Sequence, residues 1–142
     1  MTRFFIAVAV IALAGNVLAQ ETKAVKGAAA LQGTWVINSI NGQSAPEGSP
    51  EMTLTLTGDN YSQAVGGEVN ERGTVKIDAS KKPMTIDLAI VEGPDAGKTQ
   101  LGIFEITGTA LRASLDTPGA QQRPKDFTIT EGSIMFAGKR KG

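Results

Sequence analysis

The sequence predicts an all-β fold, an up-and-down antiparallel barrel of about eight strands. Three features point to it. Apolar and polar residues alternate at period two, turn-forming residues break the alternation at short intervals, and no 3.6-residue helical period is sustained beyond Trp35. The clearest strand is Met52-Thr53-Leu54-Thr55-Leu56-Thr57, whose threonines belong on a wet face opposite a buried one. Met84, Ile86, Leu88 and Ile90 repeat the arrangement against Thr85, Asp87 and Ala89. Val75 and Ile77 do so briefly. Leu111, Ala113 and Leu115, then Phe127 and Ile129, then Ile134 and Phe136 supply further faces.

In chain order the expected strands are Thr34–Ile40, Met52–Thr57, Tyr61–Val65, Gly73–Ile77, Met84–Val91, Thr99–Ile106, Ala110–Leu115 and Phe127–Phe136, the last interrupted by Glu131-Gly132. Asn41-Gly42, Gly58-Asp59-Asn60, Gly66-Gly67, Gly93-Pro94-Asp95 and Thr107-Gly108 lie between them and tolerate positive φ or preset a turn. Gln43 to Pro50 and Thr117 to Pro124 are longer, rich in proline, glycine and polar residues, and read as plain loops, with a lid over a barrel mouth as the alternative. Closing such a sheet removes its exposed edges, and a barrel of this size either fills itself with side chains or holds one small ligand.

The chain of 142 residues suits one folded domain after an address segment. Residues 1–19 read as a secretory signal peptide: Arg3 provides the positive start, Phe4 to Leu13 the apolar stretch, and Val17-Leu18-Ala19 a cleavage site. The apolar run is broken by Gly15 and Asn16 and falls short of the ~20 residues of a helical membrane span, so no span is expected after cleavage. The short run points to a bacterial periplasmic or secreted product. Residues 20–30 are an alanine-rich leader, either a short helix or a flexible segment, and residues 31–142 are the barrel domain.

Net charge is +0, which argues against a nucleic-acid partner, and the Lys139-Arg140-Lys141 cluster reads as a frayed, solvated tail. The chain contains no cysteine and no histidine. Disulfides, thiol nucleophiles, Ser-His-Asp triads and His- or Cys-ligated zinc are therefore excluded. No cofactor or metal is expected, and the chain does not read as an enzyme.

Motif by motif, structural readings prevail. Gly93-Pro94-Asp95-Ala96-Gly97-Lys98-Thr99 imitates a phosphate loop, but it has one residue too few and precedes a strand instead of a helix; it reads as a hairpin turn. Asn60-Tyr61-Ser62 matches a glycosylation acceptor but is explained by the turn it completes. Glu68 with Glu71, and Asp87 with Glu105, are the carboxylates that stand as candidates to meet in the fold for acid–base work, which would require their pKa values to be split. Glu105 follows Leu101 and Ile103 on one face, which would turn it inward to pair with Arg112.

Leu31-Gln32-Gly33-Thr34-Trp35 opens the strand series with a Gly-x-Trp signature and the single tryptophan. With Leu54 to Asp59, Gly73 to Asp78, Ser80 to Pro83, Ile86-Asp87-Leu88, Glu92-Gly93, Gly97-Lys98-Thr99, Gly102 to Glu105 and Leu111-Arg112, it resembles a lipocalin-like family of exported bacterial proteins of uncharacterised function. The resemblance implies a lipocalin-like barrel. It also implies a structural role for Gly33 and Trp35, the tryptophan plugging the closed end with an arginine packed over it. Arg112 and Arg140 are the candidates for that arginine.

The function expected on these grounds is binding of a small apolar or amphipathic ligand inside an exported barrel. Tyr61, Phe104, Glu105 and Arg112 are the candidate ligand-binding residues. The alternative is an envelope protein that docks a partner, or inhibits a protease, through its long loops.

Overall fold

The computed structural model describes residues 29–142. The signal peptide and nearly all of the leader lie outside the described residues. A helical turn over residues 29–31 leads into nine strands: β1 (Gly33–Ile40), β2 (Gln43–Ser44), β3 (Met52–Thr57), β4 (Asn60–Val65), β5 (Glu68–Asp78), β6 (Met84–Glu92), β7 (Thr99–Thr107), β8 (Ala110–Asp116) and β9 (Ser133–Arg140). From β3 onward each strand pairs antiparallel with the next. β1 pairs with β3 on one side and with β9 on the other, which closes eight strands into a barrel. β2 is a two-residue hairpin partner for the end of β1, held by the Asn41-Gly42 turn inside the expected loop.

Side-chain alternation sorts the barrel into inside and outside. Met52, Leu54 and Leu56 face in, while the threonines of β3 face out, where Thr34 and Thr55 exchange a 3.0 Å hydroxyl hydrogen bond. Ile86, Leu88 and Ile90 of β6 and Leu111 and Ala113 of β8 are buried. Three register shifts bend the sheet: at Ile37/Ser39 in β1, where β4 meets β5 at Gln63/Ala64, and where β5 meets β6 at Arg72/Gly73.

One end of the barrel is sealed. Trp35 is fully buried, and its indole Nε1 donates to the Leu31 carbonyl at 2.9 Å. The guanidinium of Arg140 lies 4.2 Å from the Trp35 ring centroid and donates to the carbonyls of Gln32, at 2.5 Å, and Ala30. Three successive carbonyls are thereby satisfied by two side chains. Gly33 makes this possible, because it takes φ 105° and a Cβ there would sit 3.0 Å from Arg140 Nη1. The Gln32 side chain clamps the β3–β4 turn, donating to the Gly58 carbonyl and accepting from the Gly58 amide.

Two expectations are corrected here. Phe127 and Ile129 form no strand, and the last strand begins only after Glu131-Gly132. The basic cluster is not a frayed tail: Lys139 and Arg140 are the final rungs of β9, opposite Val36 and Trp35, and Lys141 pairs with Glu51 at 2.8 Å. Barrel closure gives those residues a partner strand that composition alone does not reveal.

The segment between β8 and β9 runs back along the outside of the barrel. Arg123 donates to the carbonyls of Ile86 and Gly102 at 3.1 and 2.8 Å and pairs with Asp87 at 2.6 Å. Phe127 lies under the Arg112 guanidinium, 3.9 Å from ring centroid to Cζ. Ile103 and Ser114, on the outer face of β7 and β8, are buried in consequence.

Replacing Arg140 by alanine removes the stacked cation and orphans two carbonyls. We expect a loss of about 2 kcal/mol, read from the urea midpoint, with Arg140→Lys recovering less than half because an ammonium cannot fork between carbonyls while stacking. Arg123→Ala is expected to speed amide exchange across residues 117–132 while the barrel strands keep their protection.

Candidate functional site

At the end opposite Trp35, strands β1, β4, β6 and β8 finish and β3, β5, β7 and β9 begin. This mouth leads into an internal cavity of about 340 Å³. Its deeper wall is apolar, with Leu31, Leu56, Ile86, Phe104 and Leu111 among the lining residues, and Leu54, Leu88, Ala113 and Phe136 continue it. Polar lining comes from Tyr61, Gln63, Glu71 and Gln100, and the outer end is bounded by Asp95, Pro118 and Ile134. The volume lies at the lower end of the range for small-molecule pockets.

Two glycines let inner side chains pack close to the wall. Gly102 stands opposite Leu115 on the inner face of β7, where a Cβ would come within 2.8 Å of the Ser114 carbonyl. Gly73 stands opposite Tyr61, and a Cβ there would sit 2.7 Å from Tyr61 Cε1. With no side chain at Gly73, the Tyr61 ring lies across the strand, and its hydroxyl donates to Glu71 Oε2 at 3.0 Å. Burial, followed by the negative charge and the hydrogen bond of Glu71, pushes the Tyr61 phenol above its ordinary pKa. Nearer the mouth, Gln100 is 7 % exposed and its Nε2 donates to the Asp116 carbonyl at 2.8 Å.

Of the residues expected at the site, Tyr61 and Phe104 line the cavity. Glu105 and Arg112 do form a pair, at 2.7 Å, but on the outer wall with both side chains about half exposed. The inward set of β7 is Gln100, Gly102 and Phe104, so the expected inward turn of Glu105 is corrected. The apolar residues on the opposite face, Leu101 and Ile103, answer to the covering segment rather than to the interior. Arg140, not Arg112, packs over Trp35. Asp87 and Glu105 each take an arginine, and only Glu71 of the Glu68/Glu71 pair lines the cavity. The imitation phosphate loop is the β6–β7 turn, where Gly97 N donates to the Ile90 carbonyl at 2.8 Å.

Gln63 and Gln100 were not anticipated, and Glu71 was expected as one of a carboxylate pair and not as part of a cavity wall. Gln63 follows from Tyr61 by simple alternation. Gln100 follows once β7 is phased on Phe104. Glu71 follows from Val75 and Ile77 by alternation back through Gly73, because the bulge between β4 and β5 comes only before Glu71.

The exposed large apolar residues among the described residues are Ile40, Val69, Val91, Ile129 and Ile134. Four stand at strand termini around the mouth, and Ile129 is within reach of Gly42 in the turn after β1. Among the described residues no three Asp or Glu side chains gather in a way that would hold a metal ion, and no helix is long and apolar enough to cross a membrane. No family model, no curated protein and no solved structure matches the chain.

The chain has a single tyrosine, so its ionisation can be followed by absorbance without interference. The folded form retains a phenolic proton that the unfolded chain releases near pH 10. Stability is therefore full below that pH and falls as pH rises past it. Alkaline titration is expected to show Tyr61 ionising later than a free phenol, and Glu71→Gln is expected to bring the transition partway back, because burial, the largest cause, remains.

Proposed function

We propose that this protein is an exported lipocalin-like barrel that binds a small apolar or amphipathic molecule in its interior and does not transform it. The cavity carries this proposal: about 340 Å³ of mainly apolar space within a barrel whose other end is plugged by Trp35. The apolar side chains around the mouth are consistent with passage of such a ligand. The few polar groups inside are placed to fix the orientation of an amphipathic molecule. In this proposal residues 1–19 carry the chain to the periplasm or beyond, and the family resemblance of the Gly33-x-Trp35 series belongs to the same assignment.

An envelope interaction or inhibitor protein acting through its long loops has less support. Arg123 and Phe127 tie much of the longer loop to the barrel wall, where it covers Ile103 and Ser114 instead of projecting toward a partner. Acid–base catalysis is also poorly supported, because Glu71 is hydrogen-bonded to a phenol rather than set against a second carboxylate.

The test is native mass spectrometry of the mature protein purified from its own host. A reproducible one-to-one adduct, lost on denaturation, is expected. Ala113→Phe adds a ring to the cavity wall beside Phe104 and Phe136. It is expected to abolish the adduct while the melting temperature changes by only a few degrees, since the ring enters existing space. An adduct that persists unchanged in Ala113→Phe would place the ligand elsewhere.

A further inference from the structure

We infer that the cavity is built for an apolar molecule carrying a protonated amine, with the Glu71 carboxylate as the receptor for the ammonium group. The inference rests on the binding function proposed above and specifies its ligand.

The charged residues that line the cavity are Glu71 and Asp95, and no lysine or arginine is among the lining residues. The arginines of the described residues are engaged elsewhere. Arg72 pairs with Glu92, Arg112 with Glu105 and Arg123 with Asp87, while Arg140 holds the carbonyls at the plugged end. At the mouth, Asp95 faces Lys98 at 3.4 Å. Glu71 therefore sits in the wall of an apolar chamber with a phenol as its hydrogen-bond partner and no cation beside it. A fatty-acid-type ligand would bring a second negative charge into that chamber with no positive group to receive it. An ammonium group would meet a carboxylate that has already lost part of its hydration, where ion pairing is stronger than at the surface.

Hydrogen-bond capacity points the same way. The Tyr61 hydroxyl spends its proton on Glu71 Oε2, and a carboxylate with one donor bound has acceptor sites to spare. Gln100 donates one amide N–H to the Asp116 carbonyl and keeps its second N–H and its carbonyl oxygen, and Gln63 likewise offers both donor and acceptor. The amides can serve either way, but the charged groups in the lining are carboxylates, which only accept, and an ammonium brings up to three donors. Toward the mouth the wall mixes Gln63, Glu71 and Gln100 with apolar residues such as Met52 and Leu115, whereas around Phe104 and Leu111 it is apolar. This orients the molecule with its apolar body inward and its head near Glu71.

The experiment is isothermal titration of the full mature chain, at neutral pH, with n-octylamine, 1-octanol and sodium octanoate, three probes of nearly equal length that differ in head group. Octylammonium is expected to bind at least tenfold tighter than either of the others. In Glu71→Gln this preference should collapse to within about twofold while octanol binding persists. Tyr61→Phe keeps the carboxylate and should keep the preference. If octanoate or octanol matches the amine, or if the preference survives in Glu71→Gln, the head-group assignment is overturned and interior binding stands. If none of the three binds, interior binding fails and this inference fails with it. The comparison of probes on the unmodified chain decides the head group even should Glu71→Gln not fold.

Discussion

The pairing of β9 with β1 is the constraint on which the rest of the structure depends. β1 is bonded on both sides, to β3 and to β9, and this double pairing turns a meander into a closed wall. Without it the sheet would have two edges, and the interior would be an open groove with its apolar face in water. With it, every long strand has two neighbours, and the residues on the inner face enclose a volume. Closure also explains why residues near the chain's C-terminus matter. Arg140 can reach the Trp35 ring only because β9 runs to its last rung beside β1.

The interior is divided into a packed end and a hollow end. At the packed end Trp35, Leu31 and Leu56 are almost wholly buried, and their backbone neighbours are satisfied by Arg140, Gln32 and the indole. Elsewhere on the inner wall Gly73 and Gly102 occupy positions that would otherwise carry side chains. A strand interior loses stability with each such glycine. In return, space opens for the Tyr61 ring and for Leu115. The Tyr61–Glu71 bond is a product of that arrangement, since the ring reaches a residue two places along the neighbouring strand only by lying over a position with no side chain.

The outer wall follows a different logic. The segment after β8 binds the sheet through Arg123, which satisfies two strand carbonyls and one carboxylate from a single guanidinium. Phe127 stacks beneath Arg112, itself paired with Glu105. Part of the outer face of β7 and β8, at Ile103 and Ser114, is thereby dry, while Glu105 and Arg112 at its edge stay half exposed. The ions in this layer hold the segment against the wall, and no cation is among the residues that line the cavity.

The sequence by itself determined the fold class, most strand positions and the turns between them. Period-two alternation in β3 and β6 is a local property, because each threonine or aspartate opposite a Leu or Ile states which way its neighbours face. Glycines and asparagines at the turns are equally local, since they answer to backbone φ. Tyr61 and Phe104 were expected to line the interior and do so, although the alternation read for β7, with Leu101, Ile103 and Glu105 inward, puts Phe104 on the opposite face. The tertiary structure alone decided the phase of β7, where apolar residues on both faces reflect a covering segment distant in sequence. It also decided that the Tyr61 hydroxyl meets Glu71, and the choice of Arg140 over Arg112 at Trp35. Each of these turns on which distant backbone passes within a few ångströms of a side chain, and alternation along one strand carries no record of that.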